Sequence, residues 1–349
     1  MKKILFTGGG SAGHVLPNVA LMEDLLAQGN TELCYIGTNG IEKSLISPLK
    51  IPFHTIECPK LIRGGGFKSL RNNLKIPYAF LKAKKQAEEG LKEFRPDVVF
   101  SKGGYVSLPV VWAAKKLKIP CYTHESDFSA GLANKLAAKK CKAVFTSFPE
   151  TAKRFKNGVY SGAPIRSSLL HADKARTKKE FSIPDNMPVL LVFGGGSGSK
   201  VINDCLRAAL KTLTKKYFVL HVCGKGNLIE SNIKNYRQTE FISYMGGAYA
   251  CADVVISRAG AGTLFELLAL KKPALLIPLE GQTRGDQKEN AEYFLNRGLC
   301  HVLPQKSLDN PTALIDTVNG VFHDVRLKEN LQNSMFTCGN SIILDALTK

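Results

Sequence analysis

Lys3-Ile4-Leu5-Phe6-Thr7-Gly8-Gly9-Gly10-Ser11-Ala12-Gly13-His14 and Val189-Leu190-Leu191-Val192-Phe193-Gly194-Gly195-Gly196-Ser197-Gly198-Ser199 share one plan, an apolar run that ends in glycines. Each reads as a strand entering a tight turn before a helix, the opening of a nucleotide-type domain. Glycines let backbone N–H groups approach a phosphate, and the positive end of the following helix dipole adds to that attraction. Two such openings predict two domains, and 349 residues suit two cores. The first turn ends in His14, which can move a proton near neutral pH. One turn therefore reads as a place for chemistry and the other as a place for an anion.

Working outward, short β-branched runs recur at 31–37, 97–101, 119–124, 142–147, 158–161, 188–194, 217–223, 239–243, 253–257, 273–278 and 300–303, separated by helix-length segments. Runs that are apolar almost continuously indicate parallel strands covered on both faces, an α/β class. Ligands of open parallel sheets sit beyond the carboxyl ends of the strands. Those ends carry small and polar residues here, among them Ser101-Lys102-Gly103-Gly104-Tyr105, His124-Glu125-Ser126-Asp127 and Ser257-Arg258-Ala259-Gly260. Gly and Pro interrupt the pattern at Ala163-Pro164, which places the domain boundary there, 1–163 before it and 164–334 after, with a cleft expected between the two.

The net charge is +19, and residues 1–165 carry 25 Lys and Arg against 12 Asp and Glu. Residues 60–85 hold eight basic residues and no acid, interleaved with apolar ones such as Phe67, Tyr78, Phe80 and Leu81. That mixture suits an anionic lipid surface, or else a solvated basic face over a core helix. No nucleic-acid motif accompanies the charge, so no nucleic-acid partner is expected. Nine scattered cysteines without a C-x-x-C pair indicate neither a disulfide framework nor a zinc site and point to a reducing cytoplasm. The apolar run after Lys3 stops at Gly8 and no stretch approaches a membrane span, so a soluble or peripheral protein without a leader is expected.

Gly8-x-Gly10-x-x-Gly13 fits the dinucleotide fingerprint, but Gly37-Thr38 stands where that fingerprint expects a ribose-binding acid, which argues against a dehydrogenase. The Gly194 loop lacks the Gly-Lys-Ser/Thr ending of a P-loop and reads as a phosphate cradle or simply a tight turn. His14 is either a proton carrier or a buried structural histidine. His124-Glu125 could orient a base, hold a sugar or cap the next helix, and Glu125-x-Asp127 is only a weak metal motif. In Arg258-Ala259-Gly260-Ala261-Gly262-Thr263-Leu264-Phe265-Glu266 a glycine turn starts a helix, and the Glu266 carboxylate can accept from two vicinal ribose hydroxyls or compensate the helix dipole.

Taken in order, Gly9 to His14, Gly103-Gly104-Tyr105-Val106-Ser107, His124 to Asp127, Gly162-Ala163-Pro164-Ile165-Arg166, the Gly194 loop, Arg258 to Glu266 and Gly285-Asp286-Gln287-x-x-Asn290-Ala291 resemble the MurG family. These are peripheral membrane glycosyltransferases of peptidoglycan synthesis, acting at the cytoplasmic face of the cell membrane. The resemblance implies the GT-B fold, two Rossmann-like parallel-sheet domains facing a central cleft, with a helix at about 335–349 returning to the first domain. It implies inverting transfer of N-acetylglucosamine from UDP-GlcNAc to the C4 hydroxyl of the muramoyl sugar of polyprenyl-linked lipid I, giving lipid II, with no cofactor and no metal.

By the same resemblance Arg166, Gly196, Ser197, Ile242, Ala261, Gly262, Thr263, Leu264, Phe265, Glu266 and Gln287 hold the donor, with Ile242 at uracil, Glu266 at ribose and Gln287 at the sugar. Ser11, Ala12, Gly13 and Asp127 lie by the transferred sugar, and Gly103, Gly104 and Tyr105 near the acceptor diphosphate. His14 is the expected general base and Glu125 the second candidate. Two departures stand out: Gly196 takes the place of a family serine, with Ser197 following it, and Asp127 replaces an amide. A transferase with a diacylglycerol acceptor, a UDP-GlcNAc epimerase and a non-catalytic sensor are the competing readings.

Overall fold

A computed structural model describes residues 1–59, 76–281 and 285–349. The chain divides into two compact units, Met1–Arg166 with Thr337–Lys349, and Ser167–Phe336.

In the first unit β1 (Lys2–Thr7), β2 (Thr31–Gly37), β3 (Phe53–Thr55), β4 (Val98–Ser101), β5 (Cys121–Glu125), β6 (Ala143–Thr146) and β7 (Gly158–Tyr160) form a parallel sheet in the order β3-β2-β1-β4-β5-β6-β7. Successive strand residues face opposite sides, and both sides are covered. Ile4 and Phe6 pack with Leu21, Met22 and Leu25 of helix Leu16–Gln28, whereas Leu5 packs with Leu91, Val99 and Val110. The unbroken apolar reading of these strands is the consequence.

The last helix, Asn340–Thr348, belongs to this core although it ends the chain: Ile343 and Leu347 are fully buried against β1 and helix Leu16–Gln28. Asn340 fixes it in place, accepting from Ile165 N–H at 2.9 Å and donating to Ile165 O at 3.0 Å and Asp24 at 2.6 Å.

In the second unit β8 (Val189–Phe193), β9 (Phe218–Val222), β10 (Tyr236–Thr239), β11 (Val254–Ser257), β12 (Ala274–Leu276) and β13 (His301–Val302) run parallel in the order β10-β9-β8-β11-β12-β13. This repeats the order of the first six strands of the first unit. In both sheets the order reverses beside the strand that feeds a glycine loop, β1 against β4 and β8 against β11, and such a switch point opens a crevice for a ligand.

Two strands differ from the sequence reading, and both lie at sheet edges. β3 has only three residues and follows Pro52, too short for a periodic signal and tolerable at an edge. β10 falls at Tyr236–Thr239 rather than 239–243, because its exposed edge accepts Arg237 and Gln238 while the apolar pair Phe241-Ile242 follows the strand.

Two buried histidines make stability depend on pH. His221 donates from Nε2 to Asn203 Oδ1 and accepts the Tyr236 hydroxyl at Nδ1, both at 2.9 Å, so its neutral form is fully paired. Burial, helped by the Arg207 charge, pushes it down to about 4. Burial also holds His124 well below the usual imidazole range, with the Lys102 charge acting in the same direction. The unfolded chain therefore binds more protons than the folded one below the ordinary histidine value of about 6.5, and stability is lost as pH falls from there toward about 4. The expected slope is up to about 1.4 kcal/mol per pH unit for each histidine. A melting temperature that stays flat over this window would contradict it.

Candidate active site

In the first unit the glycine loop after β1 leads into a short 3-10 turn, Ala12–His14, and then helix Leu16–Gln28. Ser11 and Gly13 are exposed, Ala12 and His14 half-buried, and the Ser11 hydroxyl lies 2.9 Å from His14 Nδ1. The loop after β4 packs on this one. A Cβ on Gly10 would stand 2.5 Å from the Tyr105 ring. Gly104 has φ +79, and a Cβ there would stand 2.4 Å from Gly9 O and 3.3 Å from His14 Nδ1. The structure thus brings Ser11, Ala12, Gly13, His14, Gly103, Gly104 and Tyr105 together at the switch point of β1 and β4.

The loop after β5 is organised by Glu125. Its Oε1 accepts from Asp127 N–H at 3.0 Å, and its Oε2 accepts from Gly131 N–H at 2.8 Å and Asn134 Nδ2 at 3.0 Å. These bonds commit the buried carboxylate to holding the 125–131 turn at the start of helix Leu132–Ala138. Asp127 is half-buried beside it. His124 is fully buried on the neighbouring side, with Nε2 3.1 Å from Gly162 O. Arg166 also belongs to this unit, where its charge acts on Glu23 of helix Leu16–Gln28. It is not in the compact unit that holds the other donor candidates.

Sequence reading passed over two residues of this half. Glu42, from helix Ile41–Ile46, is fully buried; its carboxylate accepts from Thr38 N–H at 2.9 Å and Gly10 N–H at 3.3 Å. An acid does serve the end of β2, but it arrives four residues later and turns inward, filling with a carboxylate the place an anion would need. Lys102, immediately after β4, is 1% exposed and donates to the Ser126 hydroxyl at 2.7 Å. Its only sequence signal is a lysine among small residues at a strand end.

In the second unit the loop Gly194–Ser199 opens helix Lys200–Leu213. Gly198, at φ +76, lies so close to β9 that a Cβ would stand 2.2 Å from Cys223 O. Around Gly195 and Gly196, by contrast, no described atom comes within 4 Å of a Cβ position, and Gly196 and Ser197 are exposed at the loop tip. The tip has room for a ligand, and backbone N–H groups to offer it.

Arg258 at the end of β11 staples the crevice. Its guanidinium donates to Ser199 Oγ at 2.8 Å, Ile277 O at 3.1 Å and Pro278 O at 3.2 Å, tying the ends of β8, β11 and β12. Helix Ala261–Ala269 starts at the same edge. Leu264 and Phe265 are buried, and Leu264 N–H is spent on Gly260 O at 3.1 Å. What this segment can offer a ligand is therefore the first-turn backbone of Ala261, Gly262 and Thr263. Glu266 is half-buried and accepts from the hydroxyl of buried Tyr249 at 3.0 Å, which sets its carboxylate. Neither Arg258 nor Tyr249 could be assigned such work from sequence, since each acts by reaching another strand or helix.

Ile242 is buried just beyond β10. Gln287, in helix Asp286–Leu295, accepts from Leu279 N–H at 3.0 Å, so its NH2 is the part it can turn to a ligand. The structure thus assembles Gly196, Ser197, Ala261 to Thr263, Glu266 and Gln287 along the carboxyl edge of one sheet.

The basic-apolar stretch 60–85 lies outside the described residues from 60 to 75. Its remainder begins helix Ile76–Phe94, which exposes Tyr78 at 76% and Leu81 at 62% while burying Ala83 and Ala87. Lys82 pairs with Glu57 at 2.7 Å and Lys84 with Glu88 at 3.5 Å. Among the described residues no helix is long and apolar enough to cross a membrane.

Residues 4–146 match the glycosyltransferase family 28 N-terminal domain and residues 189–338 the glycosyltransferase family 28 C-terminal domain. A UDP-N-acetylglucosamine--N-acetylmuramyl-(pentapeptide) pyrophosphoryl-undecaprenol N-acetylglucosamine transferase of Clostridium perfringens is 44% identical over 99% of this chain and 98% of its own. The transferase of the same name from Lachnoclostridium phytofermentans is 45% identical over 92% and 91%. The crystal structure of Acinetobacter baumannii MurG superposes with a TM-score of 0.75 at 24% identity, covering 100% of this chain and 99% of that one, which makes the fold GT-B. Paired glycine loops at two switch points, matched by both domain families and by full-length relatives, place this chain in glycosyltransferase family 28, among the N-acetylglucosamine transferases it resembles.

Proposed function

We propose that this protein transfers N-acetylglucosamine from UDP-GlcNAc to the C4 hydroxyl of the muramoyl sugar of lipid I, forming lipid II for peptidoglycan. The observation that carries this is identity of 44% over nearly the whole length of transferases named for that reaction. Product analysis tests it. With UDP-GlcNAc, a lipid I analogue should give a β-linked disaccharide, whereas diacylglycerol or no acceptor should give none; a glycosylated diacylglycerol would replace this reading.

The donor is an α-glycoside and the product β-linked, so a single in-line displacement at C1 accounts for the inversion. The attacking hydroxyl must lose its proton. His14 takes this role: with Nδ1–H donated to Ser11 Oγ, the Nε2 lone pair receives the proton. Glu125 acts as a positioning residue, since its oxygens already serve three local donors. Ser11, Ala12, Gly13 and Asp127 line the transferred sugar, and Gly103, Gly104 and Tyr105 serve the acceptor diphosphate.

On the donor side the N–H groups of the Gly194 loop, including Gly196 and Ser197, and of Ala261 to Thr263 receive the UDP diphosphate as its charge grows. Arg166 is the basic side chain proposed for the diphosphate oxygens. Ile242 meets uracil through its backbone, and Gln287 offers its NH2 to the sugar. Glu266, oriented by Tyr249, accepts from the ribose hydroxyls. Glu266→Ala should therefore weaken UDP binding by roughly 10- to 100-fold, the worth of hydrogen bonds to a charged acceptor. An unchanged calorimetric UDP titration would remove Glu266 from the donor site.

The acceptor's lipid anchor gives exposed Tyr78 and Leu81 a use. We infer that the start of helix Ile76–Phe94, with the basic residues of 60–85, docks on the anionic cytoplasmic face of the cell membrane. Tyr78→Ser/Leu81→Ser should lower co-sedimentation with anionic vesicles by about tenfold or more, given the apolar area withdrawn. Undiminished binding would put the docking surface elsewhere.

A further inference from the structure

Lys102 is a buried cation that the chemistry above does not use. Its N–H is held by Thr7 O at 2.9 Å, which fixes its backbone beside β1, and its side chain runs under the loop after β5 to Ser126 Oγ. An ammonium carries three donors, and one neutral hydroxyl does not offset the cost of taking a charge out of water. The charges acting on it are the carboxylates of Glu125 and Asp127. Glu125, the stronger of the two influences, is fixed by Asp127 N–H, Gly131 N–H and Asn134, so its charge stays in the turn whatever position 127 carries. Asp127 stands next to Ser126 on the half-buried side of that turn. The buried imidazole of His124 is kept neutral, partly by Lys102 itself, and does not compete.

We propose that Lys102 is the shared counter-ion of Glu125 and Asp127, a positioning residue that holds the Ser126-Asp127 turn and lets an ionised carboxylate at 127, in place of an amide, accept from the hydroxyls of the transferred sugar. This rests on the placement of Asp127 by that sugar in the reading above. Burial pushes the Lys102 ammonium down to about 8, and the two carboxylates oppose that fall, which leaves the cation in place at neutral pH.

The test compares wild type, Lys102→Met, Asp127→Asn and the double variant, reading kcat/KM for UDP-GlcNAc with a lipid I analogue, the Kd for UDP, and the melting temperature. Lys102→Met should lose at least about tenfold in kcat/KM, because an unbalanced carboxylate is left in the turn, with UDP affinity held within about twofold. Adding Asp127→Asn should restore kcat/KM to within about threefold of wild type, since it removes the second carboxylate that the turn carries beside Glu125 only with Lys102 present. Losses that simply multiply in the double variant, a Lys102→Met protein as active as wild type, or a parallel loss of UDP affinity would each overturn the proposal. If Lys102→Met does not fold, the double variant decides: a folded, active protein carries the proposal and an unfolded or inactive one overturns it. A wild type that releases no UDP with the analogue would instead overturn the transferase reading. The melting temperatures still test the pair in that case, because a charge pair makes two single substitutions cost more than the double one.

Discussion

Replacing His14 by alanine is expected to lower kcat by about 10² to 10⁴, the usual range for a positioned proton acceptor, with little change in UDP affinity. The reason lies in how the chain separates its tasks. His14 ends a turn whose Gly10 N–H is already taken by the Glu42 carboxylate, so a negative charge stands at that point of the first glycine loop. What it presents is an imidazole set by Ser11 and flanked by Gly104. The second loop, open around Gly195 and Gly196 and stapled by Arg258, has room at its tip for a diphosphate. Loss of His14 should thus appear in turnover and leave a UDP titration as it was. A His14→Ala protein that loses UDP affinity in step with kcat would assign His14 to binding.

Gly104→Ala should lower kcat/KM for the acceptor by about 30- to 1000-fold, also without weakening UDP. Alanine at φ +79 costs roughly 1–2 kcal/mol in the left-handed region, and its Cβ would press on Gly9 O, a backbone atom that yields only if the loop moves. Overpacking of that kind adds about 1–3 kcal/mol. The same Cβ would stand 3.3 Å from His14 Nδ1, so relief of the clash displaces the proposed base. Steady-state kinetics against acceptor concentration, beside a UDP titration, reads both effects. Unimpaired turnover would mean that the loops after β1 and β4 can part without consequence, contrary to the close packing on which the site depends.

Much of the architecture was legible in sequence because its signals are local. A buried parallel strand such as β1 or β8 is apolar on both faces, and glycines at its carboxyl end mark the turn, so strand, loop and helix can be read from a dozen residues. Edge strands escape that logic. β3 is three residues long, and β10 carries Arg237 and Gln238 where a central strand would carry valines. The candidate site could be proposed from sequence where a residue type suggests its chemistry, as His14 and Glu266 do. It was not legible where a side chain acts across the fold: Arg258 reaches Ser199 from 59 positions away, Glu42 reaches Gly10 from 32, and Lys102 reaches Ser126 from 24. Burial of a charge is a tertiary fact, and no spacing rule encodes it. The return of helix Asn340–Thr348 to the first core was an expectation of the family resemblance alone, since its amphipathic pattern does not say which unit it covers.

The most direct test of the whole account is the release of UDP from UDP-GlcNAc by the purified protein, measured with and without a lipid I analogue and in the presence of EDTA. Release that requires the analogue, persists in EDTA and matches disaccharide formation mole for mole is the predicted result. UDP-GlcNAc bound but never cleaved in the presence of the analogue, or converted to another UDP-sugar without it, would contradict the account.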